Sequence, residues 1–178
     1  LKSYMQMVLG NMNFFEENAI SDETEQLFRQ AEPVFWDNEE GIEGAALDGY
    51  VKLGNYYQAK KDFARAEQIL LKGKERYENL VGVFDNQYLS FINELFGLYA
   101  FEYNDLDRAD QFLEERIAVA ENNPLFSRHD LLFAMYWMRY QLIQAKAPNN
   151  YFLQLNSLQE TFAKLAVIQQ QTGGTLTP

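Results

Sequence analysis

Cysteine is absent from the 178 residues, which excludes disulfides, thiolate catalysis and cysteine-based metal sites. The chain has one histidine, His129, and without cysteine or a second histidine it cannot assemble a common zinc site. Prolines number four, at positions 33, 124, 148 and 178, which leaves room for long helices. No stretch alternates apolar and polar residues in the manner of a strand. No apolar run approaches the roughly 18 residues that span a bilayer. Basic residues are scarce, with 15 Lys and Arg against 26 Asp and Glu and a net charge of −11. That balance repels phosphate backbones, so nucleic acid is not expected as a direct partner. Lack of cysteine fits a reducing compartment, and the cytoplasm is the expected location. The chain begins Leu-Lys-Ser-Tyr, already in helical pattern and with neither initiator Met nor signal peptide. It therefore reads as a fragment of a longer protein.

What is present is a repeat. The 47% apolar and 15% aromatic content is ample for a core. Leu9-Gly10, Leu53-Gly54 and Phe96-Gly97 recur at intervals of 44 and 43 residues. Eight residues after each glycine stands a turn-former, Asn18, Asp62 or Asp105, and Asn149 comes 44 residues after the last. A self-similar period of this length marks stacked helix pairs. Eight helices fit the pattern, over about 1–17, 22–36, 44–60, 63–80, 85–103, 106–122, 127–147 and 151–170. Phe63, Ala66, Leu70, Gly73 and Tyr77 form one stripe, and Leu106, Ala109, Leu113 and Ile117 another. Asp22 with Glu25, and Ser127 with Asp130, have capping-box spacing, and Asp85 is a further cap. Pro33 should bend its helix or end it early. Short turns make successive helices antiparallel neighbours. Gly54 and Ala66 remove bulk where two helices cross, and Gly97 with Ala109 repeats the spacing.

This grammar resembles the tetratricopeptide repeat. The match is best over Tyr50, Leu53-Gly54, Tyr57, Asp62-Phe63, Ala66 and Leu70, and next over Phe96-Gly97, Ala100, Asp105-Leu106, Ala109 and Leu113. The period departs from the family's 34 residues, and Gly73 and Arg116 replace its second-helix alanine. HEAT-type or armadillo-type stacking is the structural alternative. The resemblance implies an all-α right-handed superhelix of about four helix pairs over residues 1–171, with a flexible tail at 172–178. Long repeats of this kind are similar to the sensor domain of RRNPP regulators, the Rgg and ComR branch in particular. Three segments carry that similarity: Met7 to Glu17 running into Thr24–Phe28, Tyr99 to Leu106, and Ile117 to Glu121 leading through Leu125-Phe126-Ser127. In that family a helix-turn-helix binds DNA, while the repeat domain binds a short hydrophobic pheromone and dimerises. The chain has no helix-turn-helix, so the resemblance implies the regulatory half alone.

No catalytic, cofactor or metal signature survives inspection. Asp37, Glu39, Glu40, Glu43 and Asp48 fail the spacing of a calcium loop, because the glycine comes one residue early and no Glu sits at the twelfth position. Glu16-Glu17 and Glu114-Glu115 point about 100° apart on a helix and cannot face one reacting group. Gly173-Gly174 lies in the tail and not between a strand and a helix. Binding is therefore the expected function. In a tetratricopeptide array the first helix of each pair lines the concave face. Counting from the glycines places Asn11 and Phe14 there, then Lys52, Asn55 and Gln58, then Glu94, Leu98 and Phe101. The fourth unit adds Met135, Met138, Arg139 and Leu142. Such a face suits a short hydrophobic peptide, with Asn and Gln amides for its backbone and Lys52 or Arg139 for a terminal carboxylate. A chaperone-type carboxylate clamp is similar to a set of two Asn, two Lys and one Arg. Only Asn11 matches it; Met7, Lys52, Phe91 and Leu95 occupy the other positions. Generic scaffolding or secretion-chaperone duty is the alternative function. Leu155, Leu158, Phe162, Leu165 and Ile168 form an apolar stripe expected to mediate a homodimer.

Overall fold

The computed structural model describes residues 20–37, 44–82, 86–122 and 129–172. Among them every regular element is helical, and the chain is all-α. The elements are α1 (Asp22–Asp37), a 3₁₀ turn (Gly44–Leu47), α2 (Asp48–Ala59), α3 (Phe63–Leu80) and α4 (Asn86–Gly97). A π-helical segment (Leu98–Glu102) continues α4, and then come α5 (Leu106–Asn122), α6 (His129–Lys146) and α7 (Tyr151–Thr172). The expected helix at 1–17 and the caps Asp85 and Ser127 lie outside the described residues, as do the tail residues 173–178. No helix among the described residues is long and apolar enough to cross a membrane. The chain divides into two compact units, Leu1–Tyr103 and Asn104–Pro178.

The turn residues act as helix caps. Asp62 accepts the Arg65 N–H at 3.3 Å, satisfying one of the free donors at the start of α3. Asp105 does the same for Arg108 at 3.1 Å at the start of α5. Asn150, not Asn149, caps α7 through the Leu153 N–H at 3.1 Å. At α1 the cap is Ser21, whose Oγ accepts from the Thr24 N–H at 3.2 Å. That corrects the expected Asp22–Glu25 box: Glu25 instead pairs with Arg29 and Lys60. Pro33 does not end α1, which runs on to Asp37. The hydrogen bond lost at Pro33 is offset by anchors beyond it. Phe35 is buried edge-on against Tyr50 at 5.0 Å. The Trp36 indole N–H donates to Tyr57 Oη at 2.9 Å, and Lys72 donates to the Trp36 carbonyl at 2.7 Å.

Helices α1 to α4 enclose one aromatic core. Thr24, Phe28, Ala31 and Phe35 form the buried stripe of α1, at the 3–4 spacing of a helix face. Phe28 stacks on Tyr56 at 4.4 Å. Gly54 sits where α2 crosses α3, since a Cβ there would lie 2.6 Å from Leu70 Cδ2. Gly73 sits tighter still, with a Cβ 2.4 Å from Tyr50 Cβ and 2.6 Å from Phe91 Cε1. Gly97 does not repeat the device. The nearest atom to its would-be Cβ is Phe101 Cδ2 at 4.0 Å. Gly97 is instead the last residue before the π-helical switch.

The second unit packs α5 on α6 and α6 on α7. Ala109, Leu113, Ile117 and Ala120 of α5 are buried, as are Leu132, Met135, Tyr136 and Leu142 of α6. Small polar residues let α7 lie close: Ser157 and Thr161 are buried, and the Thr161 hydroxyl donates to the Ser157 carbonyl at 2.9 Å. At one edge Glu121 accepts from both the Tyr136 hydroxyl at 2.8 Å and Lys164 at 2.5 Å. These charge-assisted bonds hold the Glu121 carboxyl below its usual value although burial opposes them.

Candidate binding face

The expected groove residues divide by what the fold does with them. Asn11 and Phe14 lie outside the described residues. Leu98, Met135 and Leu142 are buried in the cores of their units and offer no surface to a ligand. A helical position shifted by one residue turns through about 100°, enough to carry a side chain from groove to core. Phe101 has the opposite fate and is 76% exposed, edge-on to Phe96 at 6.2 Å. Its place in the π-helical segment breaks the 3.6-residue phase on which the expectation rested. Met138 and Arg139 are part-exposed on α6.

Both cations expected to hold a carboxylate already hold acids. Lys52 pairs with Asp48 one turn earlier on α2, and burial pulls its ammonium below the ordinary lysine value. Arg139 pairs with Glu114 at 2.5 Å, with Asp110 and Glu160 each at 4.0 Å. Nearby, Lys146 bridges Asp107 at 2.8 Å and Asp110 at 3.0 Å, and those contacts raise its pKa, Asp107 foremost. The Asp48–Lys52 pair was legible from its i,i+4 spacing. Arg139's partners come from α5 and α7, and sequence spacing carries no signal of them.

Lys52, Asn55 and Gln58 succeed one another along a single face of α2, at steps of three residues. Gln58 Nε2 donates to Glu94 Oε2 at 3.1 Å and so joins α2 to α4. Burial raises the Glu94 carboxyl above the usual glutamate range, and the Gln58 amide offsets this only in part. Asn55 Oδ1 is buried and receives no hydrogen bond. A buried acceptor without a donor is costly, and it needs a reason.

One concavity among the described residues was not foreseen. A cleft of about 480 Å³ opens between α1 and the α2–α3 turn, lined by Glu25, Arg29, Glu32, Tyr56, Tyr57, Lys60, Asp62 and Arg65. Its charges satisfy one another. Arg29 and Lys60 reach Glu25 at 2.6 and 3.1 Å, while Arg65 reaches Asp62 at 3.6 Å and Glu32 at 3.9 Å. Tyr57 donates to Glu32 and lies under the Arg65 guanidinium, 5.8 Å from the ring centroid. Burial, helped by the Glu32 acceptor, pushes the Tyr57 phenol well up. Each polar group is answered within the cleft, which docks α1 and leaves little for a ligand to add.

No family model matches the chain, and no curated protein matches it. Among solved structures, the crystal structure of BtubC (BKLC) from P. vanneervenii is similar, with a TM-score of 0.74 at 16% sequence identity. The likeness covers 99% of this chain and 66% of that one, so this chain spans about two thirds of its length. At that identity the likeness concerns the fold alone.

Proposed function

We propose that this chain is a non-enzymatic peptide-binding domain. Its helix pairs are read as tetratricopeptide-like units of a right-handed superhelix. The domain serves as the pheromone-binding, dimerising regulatory half of a bacterial transcription regulator in the cytoplasm. The observation that carries this reading is the half-buried polar line of Gln58 and Glu94 across α2 and α4, with Asn55 one turn earlier on α2. Amides on a helical face are what an extended peptide backbone needs. Calorimetry with short apolar peptides and with duplex DNA tests it. Peptides should bind and DNA should not, and Gln58→Ala should weaken peptide binding by about 0.5–1.5 kcal/mol, the net worth of a hydrogen bond. Binding of DNA, or of no peptide, would leave the protein-scaffold alternative in its place.

Self-association belongs to the same reading and rests on α7. Tyr151 and Phe152 are each 75% exposed, Leu155 52% and Phe162 54%. Leu165 and Ile168 of the expected stripe have side chains outside the described set. The exposed residues offer on the order of 500 Å² of apolar surface per copy, so two copies bury about 1,000 Å², the size at which an interface becomes specific. Glu160 and Lys164 are the only charges in this 22-residue helix. Two chains that each carry −11 therefore meet with least repulsion here. Sedimentation should show a dimer, and Leu155→Glu with Phe162→Glu should give a folded monomer. A wild-type monomer at high micromolar concentration rejects the interface.

A further inference from the structure

Helix α7 turns a regular seam toward solvent. Phe152, Leu155, Gln159, Phe162 and Ala166 follow one another at steps of three, four, three and four residues, and all five are exposed. That spacing is the pattern by which two helices pack along one line. The opposite side of α7 is already engaged: Ser157 and Thr161 are buried, and the Thr161 hydroxyl lies 3.4 Å from the Tyr136 carbonyl of α6. Both charges of the helix stand off the seam and have partners, Lys164 with Glu121 at 2.5 Å and Glu160 with Arg139 at 4.0 Å. The seam itself is therefore uncharged. The unit that bears it, residues 104–178, holds six Lys and Arg against eight Asp and Glu, in a chain whose net charge is −11. Two copies that meet here do so through their less charged unit. The seam is also graded in size. Phe152 and Leu155 are large, Ala166 and the adjoining exposed Ala163 are small, and Gln159 lies midway between Phe152 and Ala166.

We infer that two copies of this chain pair α7 against α7 in antiparallel sense, about a two-fold axis at Gln159. Phe152 of each copy then lies opposite Ala166 of the other, and Leu155 beside Ala163 and Phe162 of the other, so that large meets small at both ends. A parallel pair would set Phe152 against Phe152 and Ala166 against Ala166. That crowds one end and leaves a void at the other, and both faults destabilise a packed seam. The antiparallel pair also opposes the two helix dipoles. On the axis the Gln159 side chains meet each other. A carboxamide has both donor and acceptor, so each donates to the oxygen of the other. A slip of register would leave both amides against apolar groups, so Gln159 fixes the register, as a polar residue within a seam does. This inference rests on the self-association reading above and assigns that dimer its orientation and its register-fixing residue.

The test exploits the absence of cysteine, since single cysteines placed in the whole chain report their contacts without background. Phe152→Cys and Ala166→Cys chains are mixed at a concentration where both sediment as dimers, then oxidised with copper phenanthroline. The mixed 152–166 link should form at least ten-fold more than either self-link. Dominant self-linking at either position shows a parallel pair, and no link of any kind in a dimer places the contact off this seam; each overturns the inference. Gln159→Glu sets two carboxylates on the axis. It should weaken the dimer at least ten-fold by sedimentation at neutral pH, with the circular dichroism of the parent. Gln141→Glu, which adds the same charge at an exposed position of α6, is the control and should leave the dimer unchanged. A dimer as tight with Gln159→Glu as without it, or weakened equally by Gln141→Glu, also overturns the inference. The two levels fail differently. A wild-type monomer at high micromolar concentration removes self-association and the inference with it, whereas a dimer with the wrong links removes the inference alone.

Discussion

Gly73→Leu should destabilise the first unit by about 3 kcal/mol, the upper end of what overpacking costs. The reason is where the missing Cβ would go. At Gly73 it would meet Tyr50 Cβ at 2.4 Å and Phe91 Cε1 at 2.6 Å, so α2, α3 and α4 converge on one hydrogen atom's worth of space. Tyr50 Cβ is fixed to the α2 backbone and cannot swing aside, so relief requires the helices to part. Even Gly73→Ala should therefore destabilise, against the general rule that alanine is the better helix former by about 1 kcal/mol. Gly54→Ala should cost less, because the atoms in its way are the far end of Leu70, with Cδ2 at 2.6 Å. Gly97→Ala meets nothing nearer than 4.0 Å and should gain up to about 1 kcal/mol from propensity alone. Urea unfolding checks the order. Trp36 is the single tryptophan of the first unit, so a Trp137→Phe background isolates its emission. Equal stability of Gly73→Ala and the parent would remove Gly73 from the crossing.

That order also shows how far the sequence could be read. Gly54 and Gly97 share a phase in the repeat, and only Gly54 proves to be a close approach. The difference lies in the backbone beyond each glycine. After Gly54 the helix stays regular to Ala59, whereas after Gly97 the chain enters a π-helical segment. A π turn inserts a residue and rotates everything beyond it, and nothing in Leu-Tyr-Ala-Phe-Glu announces it. Phe101, inside that segment, is exposed and Leu98, at its start, is buried, although a constant period put both in the groove. Asp62 and Asp105 were legible as turn residues because capping is local chemistry, decided within three residues. Asn149 and Asn150 are equally suited by type, and the hydrogen bond to Leu153 falls to the second. The polar line of Asn55, Gln58 and Glu94 was legible as residues on facing helices. Its charge balance was not, because that depends on which cations the fold delivers elsewhere. Arg139 is held by Glu114 of α5 at 2.5 Å, a pairing set by tertiary packing alone.

Phe28→Ala should be the most damaging single truncation in α1, at about 3–5 kcal/mol, the usual loss when a buried phenyl is removed. Phe28 is 1% exposed and stacks on Tyr56 at 4.4 Å with ring planes 16° apart. It lies at the middle of the stripe that includes Thr24, Ala31 and Phe35, so no neighbour on its own face can fill the hole. The polar contacts of α1 cannot compensate. The pairs of Glu25 with Arg29 and Lys60 are exposed and screened, and such pairs contribute little. The better polar anchor is the chain from Trp36 through Tyr57 to Glu32, and it lies toward the far end of the helix. Loosening at Phe28 should therefore free the first turns of α1 before Trp36 leaves its place. Hydrogen exchange should then speed up at Glu25 to Arg29 more than at Phe35 to Asp37. Because Tyr56 adjoins Asn55 on α2, peptide affinity should fall along with stability. Phe101→Ala is the control: its ring is 76% exposed, and its loss should stay within about 0.5 kcal/mol of the parent. A Phe28→Ala loss as small as that of Phe101→Ala would show that α1 is held by its ion pairs after all, and would move the weight of this junction from packing to charge.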